Sequence, residues 1–226
     1  MMSGIYNIVR FEFNNSPWKI ANPQQKRFLG KAIPPLPNMP KEVAPPVFWT
    51  CTPPFYQNVN LICISHNLGE DEKINLYYLQ HYSPEDKENT FHFLNGLSHP
   101  IHVLNSKISL ILAPEHILDY LCFFCFFVHG ESGPFYVLRN REDPAIPQSI
   151  WAGDFFGCDS LNDLFREPCV TVANPEGSTR YSTLIYYSNV LSIADFSIQP
   201  DGMIMMEESE SLLSDLPFTL NISLKI

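Results

Sequence analysis

The sequence has few charged side chains and none of the common catalytic or nucleotide-binding motifs. Only 17% of its 226 residues are charged, against about 25% in an average globular chain. The patterns G-x-G-x-x-G, G-x-x-x-x-G-K, H-E-x-x-H, G-x-S-x-G and the EF-hand loop are all missing, which disfavours the usual nucleotide, zinc, serine-hydrolase and calcium sites. We therefore expect no cofactor, and a weakly charged surface is typical of one that a partner covers.

Long apolar runs and a cysteine framework are also missing. The most apolar stretch, residues 108–128, is interrupted by charged residues and a proline up to Asp119. Its uninterrupted part, residues 120–128, is far shorter than the roughly 20 residues of a membrane span. No secretory signal is recognisable, and the six cysteines are irregularly spaced, which favours reduced thiols. The sequence predicts a soluble, cytoplasmic protein without a membrane span.

Apolar residues are plentiful, which excludes a disordered chain. Hydrophobic residues make up 45% of the sequence, and it contains 17 Phe, 10 Tyr and 3 Trp. A chain of this length can bury about 70% of its unfolded surface and needs no disulfide to hold a core. We expect an N-terminal strand with a basic, proline-rich arm over residues 1–54, packed on a single α+β domain over residues 55–226.

Charge is divided unevenly along the chain. Residues 1–41 carry six basic side chains and one acidic one, a net +5, whereas residues 42–226 carry a net −15. The first interpretation is that the basic arm lies on its own acidic body, and the alternative is that it reaches another anion. Nucleic-acid binding is not expected, because phosphate contacts require clustered Lys and Arg.

Proline is concentrated between residues 34 and 54, where eight occur in 21 positions. Because proline fixes φ and lacks an amide hydrogen, this segment is predicted to be neither helix nor central strand. It is interpreted as a polyproline-like connector. Phe48, Trp49, Phe55 and Tyr56 favour a connector packed on the body, and a ligand for an aromatic groove is the alternative.

The remaining patterns predict one central helix and many short strands. Residues 114–128 read as a helix with Pro114 at its first position, and its second half is apolar on all sides. A short helix follows Asp159 over residues 160–165. Strands are predicted over residues 5–13, 59–65, 74–82, 91–94, 101–104, 108–112, 133–139, 169–172, 183–198, 203–206 and 217–226.

These elements define the predicted fold class. Two turns containing Pro and Gly, at residues 174–177 and 199–202, indicate a three-stranded C-terminal β-meander. The strand over residues 183–198 would span roughly 50 Å, so a bend is expected near Ser188 and Asn189. The fold predicted is α+β, a curved, mostly antiparallel sheet packed around the helix over residues 114–128.

Two histidines, His99 and His102, are the ligand-binding candidates. Their spacing suits metal ligands, but Pro100 lies between them and residues 101–104 read as extended. Positions three apart in a strand point to opposite faces, so no metal site is predicted. Cys122 and Cys125 share a helical face among phenylalanines and are interpreted as buried, inert thiols.

Three further residues are candidates for catalysis. His116 and Asp119 are one helical turn apart, and an imidazole beside a carboxylate is the kernel of a general base. Helix-dipole preference and partial exposure explain the same pair without catalysis. Asp195 lies among strand apolars and needs exposure or a partner, for which Arg180 and Tyr187 are available.

Two functional hypotheses follow from these observations. The first is a non-enzymatic, intracellular protein-binding or scaffolding protein that self-associates. Low charge, abundant aromatics, a proline-rich arm and the lack of motifs favour it. The alternative is a small-molecule-binding protein or enzyme with a pocket between the sheet and the central helix, lined by the histidine and aspartate candidates.

Overall fold

The structure is a computed structural model. It describes residues 4–7, 11–13, 15–37, 39, 42–69, 73–140, 143, 168–173, 177–216 and 218–221. The chain is a mixed, sheet-rich protein with curved antiparallel sheets and few helices, which confirms the predicted class at that level. The predicted helix over residues 160–165 and the end of the last predicted strand lie outside the described residues.

Three helices and fourteen strands are formed by the described residues. The helices are α1 (Pro23–Ala32), α2 (His99–Asn105) and α3 (Pro114–Phe127). The strands are β1 (Gly4–Asn7), β2 (Lys19–Ile20), β3 (Ala44–Cys51), β4 (Val59–Asn67), β5 (Lys73–Ser83), β6 (Glu88–Phe93), β7 (His129–Gly130), β8 (Gly133–Pro134), β9 (Tyr136–Val137), β10 (Cys169–Ala173), β11 (Thr179–Tyr187), β12 (Val190–Ile198), β13 (Ile204–Leu213) and β14 (Phe218–Asn221).

Residue contacts divide the chain into two compact units. One contains the described part of residues 9–119, and the other contains the described parts of residues 1–8 and 120–222. The boundary falls inside α3. The predicted separation of residues 1–54 from a single domain over residues 55–226 stays a prediction. None of the helices formed by described residues is long and apolar enough to cross a membrane.

The first unit contains the antiparallel sheet β2-β3-β4-β5-β6. The hairpin of β4 and β5 runs from the pair Val59–His81 to the pair Asn67–Lys73, and its strands contain the two runs predicted over residues 59–65 and 74–82. One face of the sheet carries Ile62, Ile64 and Leu76, which pack with Leu29 of α1 in a single buried cluster. One part of the core of this unit therefore lies between the sheet and α1, and residues on the other face, such as Leu61 and Leu79, are buried as well.

Strand β3 corrects the prediction that residues 34–54 form only a connector. It lies between β2 and β4 in the sheet. Pro45 and Pro46 fall where the register with β4 shifts, between Ala44 and Val47. On its other side β3 pairs with β2 only at Trp49 and Thr50. The prolines are tolerated because they occupy a bulge and no described strand pairs with them on that side.

Two other predicted strands of this unit are wrong. Residues 101–104 belong to α2, in which Pro100 lies in the first turn, where its missing amide hydrogen has no cost. Residues 108–112 form no strand, and Leu110 makes only an isolated bridge with Tyr56. The predicted strand over residues 91–94 is present as β6, which begins three residues earlier.

The second unit contains a sheet in the order β10-β11-β12-β13, with β9 also pairing with β11. The predicted single strand over residues 183–198 is wrong, because β11 and β12 form a hairpin that reverses at Ser188 and Asn189. Ser188 has a φ of 57°, the left-handed conformation that a tight turn requires. The strand predicted over residues 133–139 is present only as two short strands, β8 and β9.

Helix α3 is buried along its second half. Every residue from 120 to 127 is less than 9% exposed, which agrees with the apolar sequence. The Tyr120 hydroxyl donates a hydrogen bond to the carbonyl of Gly202 at 2.6 Å. Near the chain ends, β1 and β14 pair in parallel. Over its described residues the predicted strand from residue 5 to 13 is formed only as β1.

Candidate functional site

Strand β13 is an acidic strand at the edge of its sheet. It pairs with β12 on one side, and no described strand pairs with it on the other. Residues 205–211 are all exposed. The strand contains Glu207, Glu208 and Glu210 and no basic residue. It therefore offers solvent both its outer backbone groups and its side chains.

The register places three β13 residues on one face. Met205, Glu208 and Glu210 lie opposite residues 197, 195 and 193 of β12, which alternate along one side of that strand. Glu207 is the extra residue of a bulge that keeps Met205 and Glu208 on this face. We call Met205, Glu208 and Glu210 the acidic strip.

The methionines of this region are exposed, contrary to what strand alternation alone predicts. Alternation along a strand buries Met203 and Met205 and leaves Met206 outside. Instead the exposed fractions are 44% for Met203, 47% for Met205 and 38% for Met206. Burial requires another layer over the strand, and alternation alone does not provide it. These side chains form an adaptable apolar patch beside the glutamates.

Helix α1 presents a basic surface in the first unit. Gln24, Arg27, Phe28 and Lys31 line a shallow groove along one helical face, because residues spaced i, i+3, i+4 and i+7 share that face. The helix contains Lys26, Arg27 and Lys31 and no acidic residue. Phe28 is 43% exposed. We call Gln24, Arg27, Phe28 and Lys31 the basic stripe.

Helix α1 is not among the elements predicted from the sequence, although the sequence contains a start signal for it. The Asn22 side chain accepts hydrogen bonds from the amides of Gln24 and Gln25 at 3.0 and 2.9 Å. The Gln25 side chain accepts one from the Asn22 amide at 3.0 Å, which completes a capping box. With Pro23 in the first turn, the segment has a recognisable helix start.

His99 and His102 lie on α2 and not on a strand. They are one helical turn apart and share a side of the helix, so the argument that they point to opposite faces is wrong. His99 is exposed and His102 is half-buried. Among the described residues, no group of three or more His, Cys, Asp or Glu side chains could hold a metal ion. Their role as ligand-binding residues stays a prediction.

His116 and Asp119 lie in the first turns of α3. His116 is half-buried, whereas Asp119 is only 5% exposed. Their spacing of three residues places both on one side of the helix. A catalytic role for the pair stays a prediction.

Asp195 lies on β12 in the second unit. It is half-buried and pairs with Ser182 on one side and Glu208 on the other. Among the described residues it forms no ion pair with Arg180. The Tyr187 hydroxyl instead accepts a hydrogen bond from the Ser132 amide at 2.8 Å. Because Asp195 lies directly opposite Glu208, it adds to the negative potential of the acidic strip. Like charges in facing positions repel each other.

A buried polar group in the second unit joins β9 to the segment that follows it. The Tyr136 hydroxyl donates to Oδ1 of Asp143 at 2.9 Å, and the Arg139 amide donates to Oδ2 at 3.4 Å. Burial, followed by the charge and hydrogen bond of Asp143, raises the pKa of Tyr136 well above its ordinary range. The phenol therefore keeps its proton at neutral pH and donates a hydrogen bond to the Asp143 carboxylate.

Two histidines have pKa values below the ordinary one. Burial lowers the pKa of His92 in β6, and the charges of Lys107 and His81 lower it further. Burial also lowers the pKa of His129 in β7, and a hydrogen bond to the Phe126 backbone opposes that shift. The His66 Nδ1 lies 2.9 Å from Oε1 of Glu42. None of these groups is among the predicted site residues.

The described cysteines are free thiols, and four of the five are buried. Burial raises the pKa of Cys51 and of Cys125, and the neighbouring Cys63 and Cys122 raise them further. A thiol whose pKa is raised reacts slowly with electrophiles. The interpretation of Cys122 and Cys125 as inert core thiols agrees with this.

Comparison with known proteins adds no assignment to these surfaces. No family model, no curated protein and no solved structure matches this chain.

Proposed function

We propose that this chain is a non-enzymatic protein-binding or scaffolding protein that works in the cytoplasm and self-associates. The observation that carries the proposal is β13, an edge strand whose residues 205–211 are all exposed. An exposed edge offers unpaired amide and carbonyl groups, and another chain can bind to them. The same strand carries apolar and acidic side chains that would give such a contact specificity.

The side chains around β13 support a binding role. Met203, Met205 and Met206 are each more than a third exposed. Methionine is unbranched and polarisable, and it adapts to partners of different shape. A contact that covers these side chains would remove apolar surface from water and contribute favourable free energy.

The proposal includes the architecture expected from the sequence. In it, a curved sheet encloses the apolar half of α3, and the strands from β10 to β13 form the C-terminal meander. The burial of residues 120–127 supports this arrangement. The free thiols support a reducing compartment.

Sedimentation velocity over a wide range of protein concentration tests self-association. We expect the mean mass to rise with concentration. Hydrogen exchange on the same samples should show added amide protection at residues 205–211 in the associated state. The edge strand β6 is the matched control, because it ends the other sheet but should gain no protection.

The two measurements separate the parts of the proposal. A strict monomer at every concentration would show that the chain does not self-associate. Association with protection at β6 and none at β13 would leave self-association standing and would remove β13 as its site.

A further inference from the structure

The acidic strip is unsuited to pairing with a copy of itself. Two β13 strands placed edge to edge would bring six glutamates together across one contact, three from each strand. Like charges on facing strands repel, and charged edges are a device by which proteins avoid such pairing. Asp195 lies directly opposite Glu208 on the same face and increases the repulsion. A binding surface for this strip must therefore be basic.

The basic stripe on α1 has the required charge. Helix α1 carries three basic residues and no acidic one, whereas β13 carries three acidic residues and no basic one. Among the described residues, none of the α1 cations forms an ion pair with a carboxylate. Arg27 uses its Nε to donate to the Pro23 carbonyl at 3.3 Å, which leaves its terminal nitrogens for another acceptor.

The two surfaces also match in length and in apolar content. The basic stripe runs from Gln24 to Lys31, about 10 Å along the helix axis. The acidic strip covers four residue steps of the facing β12, about 13 Å. Each surface has one exposed apolar side chain, Phe28 or Met205. A methionine sulfur against an aromatic ring is a favourable contact.

We infer that the basic stripe of one copy docks on the acidic strip of a second copy. In this contact Arg27 and Lys31 face Glu208 and Glu210, and Phe28 packs against Met205. The inference rests on the self-association proposed above and names its two surfaces. Because the two surfaces differ, the contact is heterologous, with α1 of one molecule facing β13 of another.

Charge reversal on each surface tests the inference. The double variant R27E/K31E makes α1 acidic, and the double variant E208K/E210K makes β13 basic. In the first variant both surfaces are acidic, and in the second both are basic, so like charges face each other in either contact. The dissociation constant of each variant should be at least about tenfold higher than that of the parent chain. Raising the salt concentration should weaken the parent complex in the same direction.

Mixing the two variants is the decisive step. The acidic α1 of one variant then faces the basic β13 of the other, and each molecule again has a complementary partner. Sedimentation velocity of the equimolar mixture should therefore recover association close to that of the parent chain. The control variant E85K/E88K makes the same change in net charge as E208K/E210K at exposed positions that belong to neither surface and should associate like the parent.

Each outcome decides a different point. A monomeric parent chain would overturn self-association itself. An associating parent whose variants associate unchanged, or whose mixed variants stay apart, would overturn this pairing and leave self-association standing. Circular dichroism checks that the variants fold. If the lysines disturb β13, the uncharged E208Q/E210Q replaces them, and its association should also weaken.

Discussion

The two five-stranded antiparallel sheets contain strands of similar length with opposite surroundings. Strand β4, at the centre of its sheet, has nine residues and none of them is exposed. Strand β13, at the edge of the other sheet, has ten residues and seven of them are exposed. The first is rich in Leu, Ile and Val, and the second has three glutamates. Position in the sheet determines which composition a strand can carry.

The largest expected effect comes from the same truncation in the two strands. Ile62 of β4 is 0% exposed and packs in the cluster with α1. Ile62→Ala should lower the free energy of unfolding by about 2–5 kcal/mol, because it leaves a cavity. Met205→Ala in β13 removes a side chain that is 47% exposed and should cost less than about 0.5 kcal/mol. Urea unfolding measures both, and similar costs would contradict the comparison.

A second prediction concerns a polar interaction inside the second unit. Tyr136→Phe removes the donor at 2.9 Å from the buried carboxylate of Asp143. It should lower the free energy of unfolding by about 1–3 kcal/mol, because a buried acceptor loses a partner. The control is Tyr82→Phe in the first unit, where the side chain is 42% exposed. Thermal unfolding should show little change for that variant, and an equal loss would mean that the Asp143 contact is unimportant.

Two glycines should respond to alanine in opposite directions. A Cβ on Gly130 would lie 2.6 Å from the Tyr187 hydroxyl. The Tyr187 ring is stacked on Phe135 with the ring centroids 4.2 Å apart, and its hydroxyl accepts a hydrogen bond from the Ser132 amide. Both contacts hold the Tyr187 side chain in place, so it cannot easily make room for the new Cβ. Gly130→Ala should therefore destabilise the protein by about 1–3 kcal/mol.

Gly30 is the matched site in the first unit. A Cβ there would meet only Phe48, at an ordinary contact distance of 3.9 Å. Because alanine is the better helix former, Gly30→Ala in α1 should stabilise the protein by about 0.5–1 kcal/mol. Chemical unfolding of the two variants gives the sign directly. A gain at Gly130 or a loss at Gly30 would contradict the local packing described.

Elements with a strong local pattern could be predicted from the sequence. The β4–β5 hairpin combines two runs rich in residues that favour strands with turn residues between them, and α3 combines Pro114 at its start with a long apolar run. Elements with weak or conflicting local signals could not. The length of residues 183–198 predicts a bend near Ser188 and Asn189 but not the full reversal found there, because these residues lack the glycine or proline that marks most tight turns. Pro100 at the start of α2 suggests extended chain as readily as helix.

The candidate surfaces show the same limit. The spacing of Arg27, Phe28 and Lys31 could have been found, because it is a local helical pattern. The exposure of Met203 and Met205 could not, since alternation assigns side chains to faces but does not say which face another layer covers. The edge position of β13 is a property of strand order. Its three glutamates were the only local sign of it.

The smallest expected effect is a loss of stability in acid, to which one histidine of each unit contributes. Because burial lowers the pKa of His129 below its ordinary value of 6.5, the unfolded chain binds a proton there that the folded chain does not. The free energy of unfolding should therefore fall as the pH drops below about 6.5 and stay level above it. One histidine contributes at most about 1.4 kcal/mol per pH unit, and partial exposure makes the slope smaller.

In His129→Gln the slope of the free energy of unfolding against pH should be flatter below pH 6.5, with no change in slope above pH 7. His92→Gln should flatten it in the same way, because the pKa of His92 is lowered too. A parent chain that gains stability on acidification, or variants with an unchanged slope, would show that neither histidine is held neutral by its burial.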